Sequence, residues 1–329
     1  MHRRMAAGIA VVALGLAACG GSAGTAGSSG SSGSSATPIT VGYVPYSDDD
    51  ALFLAKDNGY FAKQGLNVTL TPAANPIAVV SSMVSGQQQF GFVTAPVLIN
   101  VNAKGTPLQC VSTVDGQQPA APAPDATALV AAKGSGIKGP GDLAGKKVAT
   151  VQLSSLNSLA VDVLAKQAGA NPKSIQLIQM PFPQMPAALS QGRVQAAVIV
   201  APFVNTALAQ GATILDRPNQ VLFPHGTVTC MSALGSYISK NPKIVTAFHT
   251  AMNQAVAYAK THQSAARATL AKYLTGLTPA VAQKQILSTD WDPVLKPATV
   301  TRIEGYMTQF GLLHKTVPAT SMIWAPAAK

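Results

Sequence analysis

Apolar residues recur along this chain with two periods that take turns. Residues 39–44, ITVGYV, are β-branched and alternate, which predicts a strand. Residues 50–63 carry apolar positions at Leu52, Leu54, Ala55 and Phe61, with the breakers Asn58 and Gly59 among them, and predict a helix. LNVTLTP (66–72) predicts a second strand, and PIAVVSSMVSG (76–86) a helix closed by Gly86, where a left-handed residue costs little. FGFVTA (90–95) predicts a third strand and PVLINVNAKG (96–105) a short helix. Strand and helix alternate, so the fold class is α/β with a largely parallel sheet.

The second half repeats the first. KKVATV (146–151), IQLIQMP (175–181) and QAAVIVAP (195–202) predict strands, with helices in SLAVDVLAKQAG (158–169) and QMPAALSQG (184–192). Gly86, Gln89, Ala95 and Pro96 recur at one constant offset as Gly192, Gln195, Ala201 and Pro202, and LAK at 54–56 recurs at 164–166. Two similar α/β lobes explain this most economically. Nearer the C-terminus, Ile244, Phe248 and Met252 at four-residue spacing predict a helix with one face on the core.

The N-terminus departs from both periods. MHRRM is basic, AAGIAVVALGLAA is apolar but too short to span a bilayer, and the pair reads as an export signal over residues 1–18. LAAC resembles the lipobox of bacterial lipoproteins, with Cys19 as the lipidated residue; an ordinary signal with a chance cysteine is the alternative. Residues 19–37 then form a Gly/Ser tether that cannot bury a core. The expected place is therefore outside the cytoplasm, held to the membrane by an N-terminal lipid. Removing Arg3 and Arg4 with the signal takes 23 basic residues to 21, against 12 acidic, a net +9. That balance suits anionic ligands or an anionic surface, with plain solubility and envelope adhesion as the alternative. The basic residues are scattered and not interleaved with aromatics, which argues against nucleic acid.

Several longer stretches carry a resemblance. GYFAKQGLNVTL (59–70), VSGQQQFGFVTAP (84–96), GIKGPGDLAGKKVAT (136–150) and MPAALSQGRVQAAVIVAPF (185–203) resemble the solute-binding proteins of the nitrate, sulfonate, taurine and thiamine-pyrimidine group, the NMT1/THI5-like family. The resemblance covers roughly residues 39–320. It implies a type II periplasmic-binding-protein fold: two lobes, two crossovers and a ligand cleft between them. Lobe one is expected over 38–127 and 226–329, and lobe two over 128–225. It implies a monomer that captures a small anionic or zwitterionic solute, such as a sulfonate, taurine or nitrate, and delivers it to an ABC permease and ATPase. A ligand sensor of the same fold, or a binder of a pyrimidine or riboflavin-type vitamin precursor, is the alternative. In that fold the strand returning to lobe one lies beside the strand holding Cys110, so a Cys110–Cys230 disulfide is implied; two reduced buried cysteines are the alternative. No cofactor is implied.

Ligands in open α/β sheets lie beyond the carboxyl ends of strands. Those loops supply the candidates Tyr46, Ser47, Asp48, Asp49, Thr94, Ser154, Ser155, Asn157, Phe182 and Phe203. Ser154, Ser155 and Asn157 precede a helix, so hydroxyls and free N–H groups there suit an anion or simply cap the helix. Asp48, Asp49 and Asp50 lack calcium-loop spacing and a nearby histidine, and read as a helix start at the cleft mouth, with one carboxylate available to a ligand amine. No metal site is expected. Relatives often carry Asp where this chain has Gln89 and Gln195, and an aromatic-plus-acid pair where it has Val200 and Ala201; loss of the bulky aromatic changes the expected pocket wall. An enzyme reading has little support: Glu304 is the only glutamate, and His249, His262 and His314 are expected to face solvent. His225 is placed in a crossover near the cleft.

Overall fold

The computed structural model describes residues 36–45, 49–114, 126–224, 229–274, 277–285, 287 and 295–328. Cys19, Tyr46, Ser47, Asp48, His225 and the Gly/Ser tether up to residue 35 lie outside the described residues. The strands are β1 (Thr37–Tyr43), β2 (Leu66–Pro72), β3 (Phe90–Thr94), β4 (Leu108–Thr113), β5 (Thr127–Ala131), β6 (Lys147–Thr150), β7 (Gln176–Gln179), β8 (Ala196–Val200), β9 (Thr213–Asp216) and β10 (Thr229–Leu234). The first helices are α1 (Asp50–Asp57), α2 (Tyr60–Lys63), α3 (Pro76–Val84) and α4 (Ala95–Ala103), followed by α5 (Leu156–Gln167), α6 (Met185–Ser190), α7 (Phe203–Ala209) and α8 (Pro218–Leu222). The last are α9 (Gly235–Lys240), α10 (Pro242–Thr261), α11 (Gln263–Tyr273), α12 (Pro279–Ala282) and α13 (Pro297–Gln309). No described helix is long and apolar enough to cross a membrane.

Among the described residues, two five-stranded sheets result, in the orders β2-β1-β3-β10-β4 and β7-β6-β8-β5-β9. They follow one plan. β1 runs parallel to β2 and β3, as β6 does to β7 and β8, while β10 and β5 are antiparallel to both of their neighbours. Each antiparallel strand is the first one reached after the chain crosses between sheets. The repeated glutamines serve this plan. Gln89 donates its backbone N–H to Thr40 O (2.9 Å) while its Oε1 accepts from Thr40 N (2.8 Å). Gln195 does the same with Lys147 at 2.9 and 3.0 Å. A glutamine reaches its own strand neighbour across one turn in both sheets, so the shared letters mark shared backbone work.

Local chemistry explains the breaks. The helix expected over 50–63 is two helices, because Gly59 adopts φ +70° between them. In GPGDLAGKK, Asp142 Oδ2 accepts from Lys138 N (2.8 Å) and Gly139 N (3.1 Å), closing the turn that aims the chain into β6. Asp50 opens α1 and Asp49 precedes it; both are buried, and Asp49 Oδ2 accepts from Val44 N at 3.2 Å. Asp49 therefore ties the end of β1 to the start of α1, while Asp50 Oδ1 accepts from Ala51 N at 2.8 Å.

Cys110 on β4 and Cys230 on β10 are joined by a disulfide. On α10, Phe248 and Met252 are buried as expected, with Val245 beside the half-buried Ile244. His262 and His314 are exposed, but His249 is not solvent-facing. Its Nδ1 lies 2.8 Å from Val111 O and its Nε2 2.9 Å from Asn253 Nδ2, so Nδ1 carries the proton and donates while Nε2 accepts. Burial lowers its pKa, which keeps the ring neutral. Helical position alone did not distinguish residue 249, which leans over β4, from the exposed positions of the same helix.

Asp162, midway along α5, faces a groove shared with the end of α13, and desolvation raises its pKa to about 6. The folded state thus binds this proton more tightly than the unfolded chain. Stability from this group is complete below pH ~4 and falls as pH rises to about 6. Asp162→Asn is expected to add about 1–2 kcal/mol at pH 7.5, discounted for partial exposure, and nothing at pH 4. Melting curves at the two pH values check this.

Candidate functional site

The carboxyl ends of the strands of both sheets meet at two adjoining chambers. The inner one is about 30 Å³ and is walled by Phe92, Thr94 and Thr229 from the first sheet and by Thr127, Val198 and Val200 from the second. Pro76 at the start of α3, the opening of α5, and Pro218 and Asn219 of α8 complete it. The outer chamber, about 340 Å³, lies between Val44, Pro45, Ala73, Ala74 and Asn75 on one side and Gln179 to Pro183 with Phe203 on the other. Val151 and Phe182 line both. An inner volume of this size takes about one water-sized group, whereas the outer one falls in the range of small-molecule sites.

The wall from the second sheet is built around the start of α5. Ser155 is its N-cap: its Oγ accepts from Ser158 N (3.3 Å) and donates to Gln152 O (2.8 Å), while Ser155 N donates to Ser158 Oγ (2.9 Å). The serine pair thus forms a reciprocal capping box, which fixes where the helix begins. Asn157 Nδ2 donates to Val198 O at 3.3 Å, pinning that first turn to β8. Asn219 Nδ2 donates to Thr127 Oγ1 at 3.0 Å. Gln152 is nine-tenths buried, and its Oε1 is the one side-chain polar atom of the described chamber walls buried without a hydrogen-bond partner.

Of the residues expected from the sequence, Thr94, Ser155 and Asn157 line the inner chamber, Phe182 both, and Phe203 the outer. Ser154 is exposed and lines neither chamber. Asp49 stands behind the outer wall, bonded to the backbone of Val44. Gln152, Thr127, Asn219 and Thr229 were not anticipated. Gln152 lay in the anticipated loop, but only its burial separates it from the neighbouring hydroxyls. Thr127 and Thr229 begin the antiparallel strands, whose chamber ends a parallel-sheet reading does not count. Among the described lining residues none is charged, and no described group of His, Cys, Asp and Glu has metal-site geometry.

Comparison with known proteins agrees with this architecture. The family model described as NMT1/THI5 like matches residues 49–266. The taurine-binding periplasmic protein of Escherichia coli is 24% identical over 64% of this chain and 62% of its own length. The 4-amino-5-hydroxymethyl-2-methylpyrimidine phosphate synthase of Legionella pneumophila is 25% identical over 39% of this chain and 38% of its own. The chain thus spans less than two thirds of the length of these curated relatives. Among solved structures, the ligand-binding component of an ABC-type import system from Staphylococcus aureus superposes with a TM-score of 0.74, at 15% identity, over 89% of this chain and 98% of that one.

Proposed function

Because the chain belongs to the NMT1/THI5-like family and has the two-lobed periplasmic-binding-protein fold, we propose that it is an extracytoplasmic solute-binding protein, which captures a small molecule between its lobes and passes it to an ABC importer. The observation that carries this reading is the chamber itself. Its walls come from both sheets: Thr94 and Thr229 face Gln152, Ser155 and Asn157 across a shared space. A molecule held there gains its full set of contacts only when both lobes meet it, so binding favours the closed arrangement. The closed form then presents surfaces of both lobes together to the permease.

The proposed setting follows from the N-terminal residues and the periplasmic relative. A lipid on Cys19 and a Gly/Ser tether would hold the folded part close to the membrane, where the permease sits. The sulfonate, taurine or nitrate suggested by the resemblance would rest, among the described residues, on the first turn of α5, since no Lys, Arg or His lines either chamber.

The test uses a rim residue. Ala74 lines the outer chamber and is exposed, so Ala74→Trp fills the entrance without disturbing the core. Melts of the purified protein are recorded with taurine, methanesulfonate, nitrate, benzamide, nicotinamide and thymine. A compound at a hundredfold its Kd adds about 2.7 kcal/mol and raises the melt by several degrees. The expected result is a shift with one group of compounds that Ala74→Trp abolishes while leaving the unliganded melt unchanged. An undiminished shift in the variant would place binding elsewhere.

A further inference from the structure

Resting on the binding reading above, we propose that Asn205 and Gln285 are a positioning pair that latches the two lobes together. The pair touches no solute, yet it sets how long a solute stays.

The bond joins the two halves of the molecule. Asn205 Nδ2 donates to Gln285 Oε1 at 3.1 Å, across 80 residues of sequence. Asn205 lies in the first turn of α7, the helix that follows β8 of the second sheet. Gln285 follows α12, which packs on α11, and α11 packs on α1, the helix that follows β1 of the first sheet. Neither side chain lines a chamber.

Gln285 is built as the fixed half. Its backbone N–H donates to Ala282 O (2.9 Å), its Nε2 donates to Val281 O (2.9 Å), and its own O accepts from Arg267 Nε (2.8 Å). These bonds, all within the first lobe, orient the amide before Asn205 reaches it and leave Oε1 as the acceptor on offer. Gln285 is 2% exposed, so that oxygen is paired inside the protein and not in bulk water. Asn205 is half-buried and travels with α7.

An amide pair suits a contact that must open again. Its net worth is small, because both groups exchange the bond for water when the lobes part. A buried ion pair would cost far more desolvation each time it formed. The bond therefore counts only in the closed arrangement.

α7 links the latch to the chamber. Phe203 opens this helix and lines the outer chamber, while Asn205, two residues on and about 200° round the helix, reaches Gln285. A solute seated against Phe203 holds the first turn of α7 where Asn205 meets Gln285. The bond in turn keeps Phe203 over the solute. Entry is made by the open protein, so the latch slows exit and leaves entry alone.

Affinities and rates of association and dissociation are measured with taurine, methanesulfonate, nitrate, benzamide, nicotinamide and thymine. The proteins are the wild type, Asn205→Leu, Asn205→Gln, Gln285→Leu and the Asn205→Leu/Gln285→Leu double variant. For whichever probe the wild type binds, Asn205→Leu is expected to release it about five- to tenfold faster, the loss of one amide hydrogen bond. Association and the unliganded melt should stay as in the wild type, and Asn205→Gln, which keeps the donor, should hold the probe within about threefold of the wild type. In the Gln285→Leu background, Asn205→Leu should change release by less than about twofold, because the partner is already gone. Unchanged release in Asn205→Leu overturns the latch and leaves the binding function standing. So does a loss that is the same in both backgrounds, or one that appears equally in the unliganded melt, since Asn205 then serves the fold and not the closure. No response of the wild type to any of the six probes removes the latch together with the binding reading.

Discussion

Replacing Cys110 and Cys230 together with alanine is expected to lower the stability of the folded chain by about 4–5 kcal/mol. The two cysteines are 120 residues apart and join β4 to β10, so the loop they close holds every strand of the second sheet. In the chain-entropy account the bond acts by restricting the unfolded chain, and the restriction grows with loop length. Alanine is the better replacement because both positions are buried, and a serine hydroxyl would add a second cost there. The midpoint of denaturant unfolding should fall, and reduction of the wild-type protein should reproduce the fall. Solute affinity should hardly change, since neither sulfur lines a chamber. Two thiols titrating in unfolded, unreduced protein would remove the bond from the account.

Phe248→Ala is expected to cost a further class of stability, about 3–5 kcal/mol. Phe248 is fully buried on α10, stacked on Phe90 of β3 with centroids 4.0 Å apart and on Phe61 of α2 at 5.3 Å. This trio binds the C-terminal part of the chain to the sheet that the N-terminal part began. Removing the central ring leaves a cavity that the flanking rings cannot fill without leaving their own contacts. The same measurement, unfolding by denaturant with an unchanged slope, distinguishes lost packing from a change in the denatured state. A cost under 1 kcal/mol would show that α10 is not essential to this core.

The sequence made the first sheet and most of the second legible because their parallel strands are apolar runs separated by helices of clear period. β5 and β9 escaped. TALVA is a short apolar run beside a segment rich in Ala and Pro, and TILD is four residues long, too short for either period to declare itself. The repeated Gln89 and Gln195 were visible as letters, yet their role as backbone clamps shows only once β1 and β6 lie beside them. At the site, Ser155 and Asn157 were read from their place before a helix, and they do line the chamber. Their polar atoms, however, hold the wall together: Ser155 caps α5 and Asn157 reaches Val198. Ser154, identical in type and adjacent, points to solvent. Which of two neighbouring serines faces inward is set by the φ −129° extended turn at Ser155, and no pattern of hydrophobicity records that. Gln152 stood in the same loop and drew no attention for the same reason.

The electrostatic expectation also shifts once the site is in view. The net positive charge of the chain suited anionic ligands or an anionic surface, but its bases are scattered along the sequence, and none of the described lining residues is charged. Global charge steers encounter, whereas the groups in the cavity decide what stays.

The measurement that tests the central claim most directly is the release of solute from protein purified without unfolding. The wild-type protein and Ala74→Trp are produced side by side, denatured, and the low-mass fraction of each is identified and quantified by mass spectrometry. The account predicts one compound, close to one per wild-type chain and absent from the variant. Equal recovery from both proteins, or none from either, would contradict a solute held between the lobes.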